Sequence, residues 1–514
     1  MLSEFRPTAP QPAPPDAFNM ARYVLTHALD LGDKTALSVV TPDGTGETHW
    51  TFAQLDRAVR GVAGGLLAQG LAPDDRVLLR LGNTVDFPLA FLGAIAAGLV
   101  PVPTSSQLTQ AEITKMSAMV APKLIIADDG IALPADTNAP VLDVDALHAL
   151  ANHAPAPFHM GDPERPGYIV FTSGTSGKAR AVVHAHRAIW ARQMMWQGWY
   201  GLTRDDRLMH AGAFNWTYTL GTGLMDPWSV GATALIPAAG TTPDELGPLL
   251  ARERATIFAA APGVYRQMLR APLPALPALR HGLSAGEKLP ATTRTSWTQA
   301  TGTPIHEAYG MSECSTFVSG APNHPAPDRT LGYPQPGRRI AVLDMDGHIT
   351  PRGTPGIMAV HRSDPGLMLG YLGAEQDTKN RYSADWFLTG DTVSMAPDSA
   401  ITFEGRSDDI MNAGGFRVSP IEVEAAMALH PGVHEAACAE VAVKDDATII
   451  ACFYTPEAEP VAQDALSAHA HAQLAHYKCP RLFIPLDTLP RGANNKLLRA
   501  TLRAQFEAGS LTKL

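Results

Sequence analysis

The sequence predicts an α/β protein: a large N-terminal domain of mixed and parallel sheets with flanking helices and a β-rich subdomain, plus a small, mobile α+β C-terminal domain. The chain has 514 residues, which is more than one hydrophobic core usually holds. Segments with strand and helix patterns alternate through most of it, and this alternation predicts largely parallel sheets covered by helices. Beyond about residue 330, short strand patterns separated by Gly and Pro follow one another, which predicts the β-rich subdomain.

The first elements are predicted from hydrophobic periodicity. Residues 50–71 form an amphipathic pattern for which Thr51 is a suitable N-cap, so a helix is expected there. The apolar run 86–99 predicts a buried helix that leads into a strand at 99–103. Prolines interrupt this run, and it is too short to span a membrane. Shorter apolar runs predict strands at 75–81 and 122–129.

The second half of the chain predicts the subdomain and the small domain. A helix at 420–430, a strand at 448–454 and a final helix after Lys496 form the last mixed section. We place the domain junction at 405–409, which gives an N-terminal domain at 18–404 and a C-terminal domain at 405–514. Residues 1–17 are Pro-rich and are expected to form a mobile arm. The strands of the subdomain are predicted at 338–344, 356–361, 386–391 and 401–406.

Composition and charge exclude several classes of protein. Hydrophobic residues make up 45% of the chain and charged residues 18%, as in ordinary globular proteins. The net charge is -10, and no strongly basic segment supports nucleic-acid binding. The N-terminus lacks the apolar core of a secretory signal, so a cytoplasmic location is expected, with a homodimer left open. Free thiols in a reducing compartment are expected, because the cysteines are not in metal-ligand spacing: Cys314, Cys438, Cys452 and Cys479.

The strongest motif runs from Tyr168 to Arg180, where an apolar strand leads into a loop rich in glycine and hydroxyl groups. Glycines allow backbone N–H groups to approach phosphate oxygens, and the hydroxyls add donors. Lys178 and Arg180 follow the loop and would offset phosphate charge. The spacing is not that of a Walker A motif. A flexible surface turn is the alternative, but the preceding strand and the two cations favour a phosphate site. The loop residues are Thr172, Ser173, Gly174, Thr175, Ser176 and Gly177.

Four further motifs are weak when each is taken alone. Glu313 follows a tight Gly turn and offers a hard oxygen ligand to Mg²⁺, although an exposed Glu is usually only solvated. Asp391 ends an apolar strand, where it can accept hydrogen bonds from ribose hydroxyls or simply cap a turn. Residues 404–424 combine acidic, basic and Gly-Gly positions, which is typical of a functional motif but also of a charged linker between domains followed by a hairpin. Lys496 lies between a polar turn and a basic helix, a common surface arrangement.

In this order and spacing, the five motifs resemble the adenylate-forming superfamily of acyl-CoA synthetases, aryl-CoA ligases, luciferase and peptide-synthetase adenylation domains. The resemblance covers roughly residues 18–505. It implies that ATP and a carboxylic acid form an acyl-AMP and pyrophosphate, with Mg²⁺ as cofactor, before the acyl group passes to CoA. It also implies a C-terminal lid that rotates between the two half-reactions about a hinge at Asp408.

The resemblance assigns roles position by position. The loop Thr172–Gly177 and Arg180 match phosphate contacts, with Arg180 standing where Lys is usual and Ala179 and Ala181 replacing Pro and Gly. The other nucleotide positions are Ser284, Ala285, Gly286 and Glu287 beside adenine, Tyr309 stacked near adenine, Ser312, and Asp391 and Arg406 at the ribose. The catalytic positions are Glu313, which is linked to the metal, Arg417 at a phosphate, and Lys496 for adenylation. Gly414 and Gly415 match the turn beside the pantetheine tunnel. Asn494 and Asn495 precede Lys496 where Ser or Thr plus Gly is usual.

The acid is indicated by residues 213–232, which lie where the superfamily builds a wall of its acyl pocket. Tyr218 and the later P-x-S-V-G-A pattern look like the benzoate–CoA ligase group, as do the segments LSAGEKLP and VSPIEVE. Trp216, the MDPW run and the YGMSE turn look like medium-chain acyl-CoA synthetases. An aromatic acid is therefore the hypothesis and a medium-chain fatty acid the alternative; aromatic rings are also common in a plain core. The predicted pocket residues are Phe214, Trp216, Tyr218, His306, Gly310 and Met311, with Asn215 or His306 as candidates for orienting a ring substituent.

Three rival functions stay open at this point. A binding protein on a degenerate adenylating fold is disfavoured by the presence of Glu313, Asp391, Arg406 and Lys496. A free-standing adenylation enzyme that loads a carrier protein is a second rival, although the absence of a fused carrier domain favours CoA. A kinase or simple ATPase is a third, and it predicts ADP rather than AMP as product.

Overall fold

A computed structural model of the chain describes residues 1–7, 12–135, 137–173, 179–215, 217–286, 289–406, 411–413, 416–418, 420–444, 447–490, 497 and 499–511. The strands of the first 320 residues are β1 (Glu4–Phe5), β2 (Thr35–Val40), β3 (Thr48–Thr51), β4 (Arg76–Arg80), β5 (Val100–Pro103), β6 (Leu124–Ala127), β7 (Val141–Leu142), β8 (Pro166–Ser173), β9 (Ala179–Ala185), β10 (Arg207–Ala211), β11 (Thr233–Pro237), β12 (Ile257–Ala260), β13 (His281–Ala285), β14 (Ile305–Met311) and β15 (Ser315–Ser319). The later strands are β16 (Tyr333–Pro334), β17 (Ile340–Leu343), β18 (Gly356–His361), β19 (Gly370–Tyr371), β20 (Tyr382–Ser383), β21 (Trp386–Met395), β22 (Ile401–Arg406), β23 (Met411–Ala413), β24 (Phe416–Val418), β25 (Val433–Lys444), β26 (Ala447–Pro456) and β27 (Leu482–Pro485).

The helices alternate with these strands through the first 300 residues. The helices of this region are α1 (Met20–Val24), α2 (Phe52–Ala68), α3 (Asp86–Ala96), α4 (Gln110–Val120), α5 (Val144–Ala151), α6 (Ala188–Ala191), α7 (Gln193–Met195), α8 (Thr217–Leu220), α9 (Asp226–Val230), α10 (Leu246–Arg252), α11 (Pro262–Met268) and α12 (Ala291–Thr301). The later ones are α13 (Glu375–Lys379), α14 (Pro420–Met427), α15 (Gln463–Gln473) and α16 (Arg499–Glu507). None of the helices in the described ranges has the length and apolar character needed to cross a bilayer.

Local sequence explains how the helices begin. The hydroxyl of Thr51 accepts from the backbone of Gln54, whose side chain accepts from the backbone of Thr51, so α2 starts with a capping box. Thr109 and Glu112 form the same arrangement at α4. Helix α3 is apolar on all sides and is buried along its whole length, as expected for a helix covered on every face.

The largest sheet has the strand order β16–β15–β14–β13–β12–β10–β11–β2–β3. From β14 to β2 the neighbouring strands are parallel, so their carboxyl ends lie at one edge. The chain passes from β10 to β11 on one side and then crosses to β12 on the other, so the topology switches direction at β10. In open α/β sheets, ligands bind outside the carboxyl ends at such a switch point.

Three smaller sheets complete the large domain. Strands β5–β4–β6–β7 form a parallel sheet, and β19–β9–β8 form an antiparallel one. The predicted β-rich subdomain is an antiparallel sheet in the order β1–β17–β18–β21–β20, with β22 paired to β21.

The first residues of the chain differ from the expected mobile arm. Glu4 and Phe5 pair with β17 and extend the subdomain sheet by one strand. The backbone N–H of Ser3 donates to the carbonyl of Thr350 at 2.7 Å, and Arg339 binds the carboxylate of Glu4 at 3.0 Å. Backbone pairing and this ion pair therefore hold Ser3, Glu4 and Phe5 against the subdomain, although the Pro-rich composition of residues 1–17 predicted a mobile arm.

The C-terminal part has a separate core, as the predicted fold class requires. Strands β25–β26–β27 form its sheet. Helices α14 and α15 pack on one face, in a cluster with Val423, Leu466 and Cys452. Helix α16 packs on the other face through Leu502 and Phe506. The predicted α+β character is thus confirmed.

Candidate active site

The predicted phosphate loop connects two hydrogen-bonded strands. Strands β8 and β9 form an antiparallel hairpin in which Thr172 lies opposite Arg180 and Ser173 opposite Ala179. Gly174, Thr175, Ser176, Gly177 and Lys178 lie outside the described residues, as does the side chain of Ser173. The ladder therefore fixes both ends of the loop.

Arg180 lies at the centre of a charged corner. Its guanidinium group is 3.0 Å from the carboxylate of Asp377 and 5.0 Å from the ring centroid of Tyr371. The hydroxyl of Tyr371 in turn donates to Glu313 Oε1 at 2.7 Å. Burial, followed by the neighbouring charge of Glu313, raises the pKa of Tyr371, so this tyrosine is a neutral donor. One aromatic side chain therefore joins the predicted phosphate residue to the predicted metal residue.

The backbone around Glu313 is fixed on both sides. The ring Nε2 of His184 lies 2.8 Å from the carbonyl oxygen of Ser312. The backbone N–H of Met368 donates to the carbonyl of Glu313 at 2.8 Å. His184 lies on β9, and Met368 directly precedes the segment that pairs with β9, so the backbone of Glu313 is held beside the strand that follows the phosphate loop.

A second contact joins the predicted ribose and adenine positions. The hydroxyl of Tyr309, on β14, donates to the carboxylate of Asp391, on β21. The backbone of Asp391 pairs with that of Arg406, whose side chain lies outside the described part of the structure. Three positions predicted from separate motifs therefore meet where the large sheet faces the subdomain sheet.

The predicted adenine-side turn follows β13 directly. Ser284 pairs with Glu307 and Ala285 with Ala308, so the turn lies beside the strand that carries Tyr309. Gly286 has φ +99°, a conformation that L side chains rarely adopt, and this accounts for glycine there. Glu287 lies outside the described residues.

Two of the predicted acyl-pocket residues, Phe214 and Tyr218, pack against other aromatic rings. Phe214 packs on Phe87, with ring centroids 5.2 Å apart. Tyr218 packs on Trp199 at 5.7 Å and belongs to a buried cluster that includes Ala285 and Ala308, each one residue before a predicted nucleotide contact. Burial raises the pKa of Tyr218 well above its usual value. Trp216 lies outside the described residues.

His306 does not lie with Gly310 and Met311. It is near the start of β14, where its ring packs on His281 with centroids 5.3 Å apart. Four residues of strand, about 13 Å, separate it from Gly310. Burial, aided by Arg294, lowers the pKa of His306 to about 4. From the sequence, His306 was placed in the pocket because it directly precedes the motif at residues 307–313. That motif does not show how far each residue of β14 lies from the edge of the sheet.

Two residues near this edge were not predicted. Tyr371 stands in GYLGAEQDT, where an aromatic residue after Gly and before an acidic turn was the available signal. His210 is buried near the carboxyl end of β10, with its ring 5.0 Å from that of Tyr218. The apolar strand around His210 gave no pattern that distinguishes it from a core histidine.

The small domain brings one predicted segment to the site. Strands β23 and β24 form a hairpin in which the backbone of Arg417 pairs with that of Asn412, and β24 lies beside β8. The side chain of Arg417 lies outside the described part of the chain, as do Gly414, Gly415, Asp408 and Lys496. Leu497 packs within the small domain's own core instead.

Comparisons with known proteins agree with this arrangement. A profile of AMP-binding enzymes matches residues 26–372, and a profile of the C-terminal domain of AMP-binding enzymes matches residues 422–496. The 3-hydroxybenzoate–CoA/4-hydroxybenzoate–CoA ligase of Thauera aromatica is 28% identical over 523 residues, covering 96% of this chain and 98% of that enzyme.

The benzoate–CoA ligase of the same organism is 31% identical over 468 residues, covering 85% and 86% of the two chains. The crystal structure of a benzoate CoA ligase from Burkholderia xenovorans LB400 matches with a TM-score of 0.70 at 28% identity, covering 95% of this chain and 100% of that one. The resemblance drawn from the motifs is confirmed, and the chain belongs to the family of AMP-binding enzymes.

Proposed function

We propose that the protein is an AMP-forming acid:CoA ligase that acts on an aromatic, benzoate-like acid. The observation that carries the proposal is the meeting of a phosphate corner, a nucleoside contact and an aromatic wall at one edge of the large sheet. The phosphate corner is the charged corner formed by Arg180 and Glu313. The nucleoside contact joins Tyr309 and Asp391, and Tyr218 belongs to the aromatic wall. The related enzymes that join hydroxybenzoates or benzoate to CoA support the same substrate class.

The reaction needs charge stabilisation more than proton transfer. A carboxylate oxygen of the acid attacks the α-phosphorus of ATP, the bond to pyrophosphate breaks, and an acyl-AMP anhydride forms. The loop Thr172–Gly177 and Arg180 hold the phosphates, and Lys496 balances charge at the α-phosphate during attack. The thiol of CoA then attacks the acyl carbon and AMP leaves. Arg417 contributes a phosphate contact.

The residues present fit a magnesium ion. Glu313 offers a carboxylate whose Oε1 accepts one hydrogen bond from Tyr371, leaving Oε2 as a hard oxygen ligand of the kind Mg²⁺ prefers. Mg²⁺ bound there would offset the charge of the departing pyrophosphate. Tyr371 would meanwhile keep the carboxylate turned towards the phosphate loop.

The nucleoside and the thiol are assigned to the remaining positions. Gly286, Glu287 and Tyr309 lie on the adenine side, Ser312 supplies a hydroxyl, and Asp391 and Arg406 bind the ribose. Gly414 and Gly415 shape the path of the CoA thiol, and the lid moves about Asp408. Residues 405–514 form that lid. We place the enzyme in the cytoplasm, because its four cysteines are all free and buried.

A medium-chain fatty acid is the second candidate substrate, because Trp216 and the MDPW and YGMSE runs look like the synthetases of that class. A pyrophosphate-release screen separates the two. The panel contains benzoate, hydroxybenzoates, hexanoate and octanoate, each with and without CoA. We expect kcat/KM to favour an aromatic acid, with AMP as the product and CoA thioester formed. A tenfold preference for the linear acids, about 1.4 kcal/mol, would overturn the aromatic assignment.

The same screen tests the rival enzymes and the binding protein. Release of pyrophosphate without consumption of CoA would indicate a carrier-protein acceptor, and ADP as product would indicate a kinase or ATPase. No turnover with any acid would support a non-catalytic binding protein. Acid-dependent AMP and thioester formation together exclude all three.

A further inference from the structure

His210 occupies the place in the large sheet where a ligand is expected on topology alone. It is the fourth residue of β10, the strand at which the strand order switches direction. Its neighbour across the pair is Ala259 on β12, close to the same edge. Crevices outside the carboxyl ends of strands at a switch point are the usual ligand sites of open α/β sheets.

The side chain is buried without being satisfied. His210 is 1% exposed, and neither of its ring nitrogens has a hydrogen-bond partner among the described residues. The surroundings approach it closely: a Cβ placed on Gly212 would lie 2.7 Å from His210 Cε1, and one placed on Gly223 would lie 3.2 Å from its Cβ. The two glycines thus leave the room that the imidazole occupies.

Burial lowers the pKa of His210 to about 3. The ring is therefore a neutral imidazole at physiological pH, with one nitrogen that donates and one that accepts. Buried polar groups are nearly always paired, and an unpaired one destabilises the protein appreciably. A group that both accepts and donates would satisfy this imidazole.

Other buried histidines in the described part of the chain are different. His184 bonds the carbonyl of Ser312 through one nitrogen, and His186 accepts from the backbone of Met20. His281 and His306 pack on each other at the opposite end of their strands, away from the candidate site. Of the buried histidines described, His210 is the one with both nitrogens unpaired and with contact to the predicted acyl wall.

We propose that His210 determines substrate specificity by hydrogen-bonding a hydroxyl or amino substituent on the ring of the aromatic acid. The inference rests on the aromatic function proposed above. Tyr218 would provide the apolar surface for the ring, and His210, with its ring 5.0 Å from that of Tyr218, would recognise the substituent at its edge. An acid without a polar substituent leaves the imidazole unsatisfied, and sites built to bond a substrate hydroxyl discriminate against analogues that lack it.

The test compares benzoate with 3-hydroxy-, 4-hydroxy- and 3-aminobenzoate in the wild-type enzyme and in His210→Leu and His210→Asn. We expect wild-type kcat/KM for one substituted acid to exceed that for benzoate by about 10- to 100-fold. His210→Leu should remove this preference, because the substituted acid loses its hydrogen bond and benzoate no longer leaves a buried imidazole unpaired. His210→Asn, which keeps a donor and an acceptor, should retain part of it.

His281→Asn is the matched control, because His281 is also buried but lies at the far end of its strand. It should leave the preference unchanged. A wild-type enzyme that uses benzoate without favouring any substituted acid would overturn the inference. A preference that survives His210→Leu would also overturn it, because the imidazole would then bond only water. An enzyme that activates only linear acids would instead refute the aromatic function itself. Thermal unfolding of each variant shows whether it folds, and His210→Asn keeps the test decisive if His210→Leu does not.

Discussion

The carboxylate of Glu313 is held by the hydroxyl of Tyr371, and this contact predicts how the enzyme depends on magnesium. Tyr371→Phe removes one hydrogen bond to a buried charge, worth about 1.5–3 kcal/mol. The carboxylate would then be less well oriented, so we expect a higher Mg²⁺ concentration for half-maximal pyrophosphate release and a kcat/KM lower by about 10- to 100-fold. Glu313→Gln should have the larger effect, since it removes the charge.

Tyr265→Phe is the control for this prediction. The hydroxyl of Tyr265 is also buried and donates to the carbonyl of Phe258 at 2.8 Å, but it serves the core of the large domain. Its loss should lower the melting temperature without changing the Mg²⁺ titration. A titration that is the same in wild type, Tyr371→Phe and Glu313→Gln would show that Glu313 is structural.

The adenylation role proposed for Lys496 can be tested only by measuring the two half-reactions separately. If it stabilises charge during attack on the α-phosphorus, Lys496→Ala should slow acyl-AMP formation by about 10²- to 10⁴-fold, as the loss of other transition-state contacts does. Thioester formation from supplied acyl-AMP should change much less. Rapid-quench experiments measure the rate of each step. If both rates fall equally in a folded variant, Lys496 does not act specifically in adenylation.

Among single residues, sequence reveals those that stand in short motifs. Glu313 and Asp391 could be singled out because a turn or a strand end surrounds each of them. Tyr371 could not, since its contact with Glu313 joins residues 58 positions apart and depends on β19 pairing with β9. His210 looks like any core histidine until the strand order is known.

At the scale of elements, the hairpin of β14 and β15 sets the distance between Tyr309 and Glu313. Gly310 lies opposite Thr316 in this hairpin, and a Cβ at position 310 would overlap the carbonyl oxygen of Ser315. Gly310→Ala must therefore open the hairpin, which we expect to cost about 1–3 kcal/mol and to move Glu313 relative to Tyr309. Both the melting temperature and kcat/KM should fall.

Gly82→Ala is the matched control for the hairpin, because a Cβ there would meet no atom within 4 Å. It should leave both quantities close to those of the wild type. A Gly310→Ala enzyme with normal kcat/KM would mean that the hairpin tolerates the methyl group and does not set the site.

Elements whose signals are local were predicted well. The N-cap at Thr51, the buried helix α3 and the strands of the subdomain follow from caps, periodicity and turn residues within a few positions. Pairing is different, because it is decided between distant segments. Neither the crossing of the chain at β10 nor the use of Glu4 and Phe5 as an edge strand leaves a local pattern, so the switch point became visible only in the structure.

At the scale of the whole molecule, one buried lysine joins the two domains. Lys478 of the small domain is 7% exposed, and its ammonium group is 2.8 Å from Glu422 of the same domain and 3.1 Å from Glu112 of the large one. Any rotation of the lid must break the contact with Glu112 and can keep the one with Glu422. This arrangement also brings β24 beside β8, while Leu497 packs within the small domain. We propose that this docked arrangement serves thiol transfer, because β24 directly follows in sequence the Gly414–Gly415 turn that is assigned above to the CoA thiol.

Glu112→Gln is expected to weaken this arrangement selectively. The variant removes the cross-domain charge but keeps an oxygen for the capping box of α4, and Lys478 keeps Glu422. Loss of one or two kcal/mol in the docked lid corresponds to about a 5- to 30-fold change in population. Single-turnover thioester formation should slow by a factor in that range, while acyl-AMP formation stays the same or rises. Glu245→Gln is the control, since Glu245 accepts from Thr242 in a similar local contact and forms no hydrogen bond or ion pair with the described residues of the small domain. Equal slowing of both steps by Glu112→Gln, or faster thioester formation, would show that the contact with Lys478 does not hold the lid for thiol transfer.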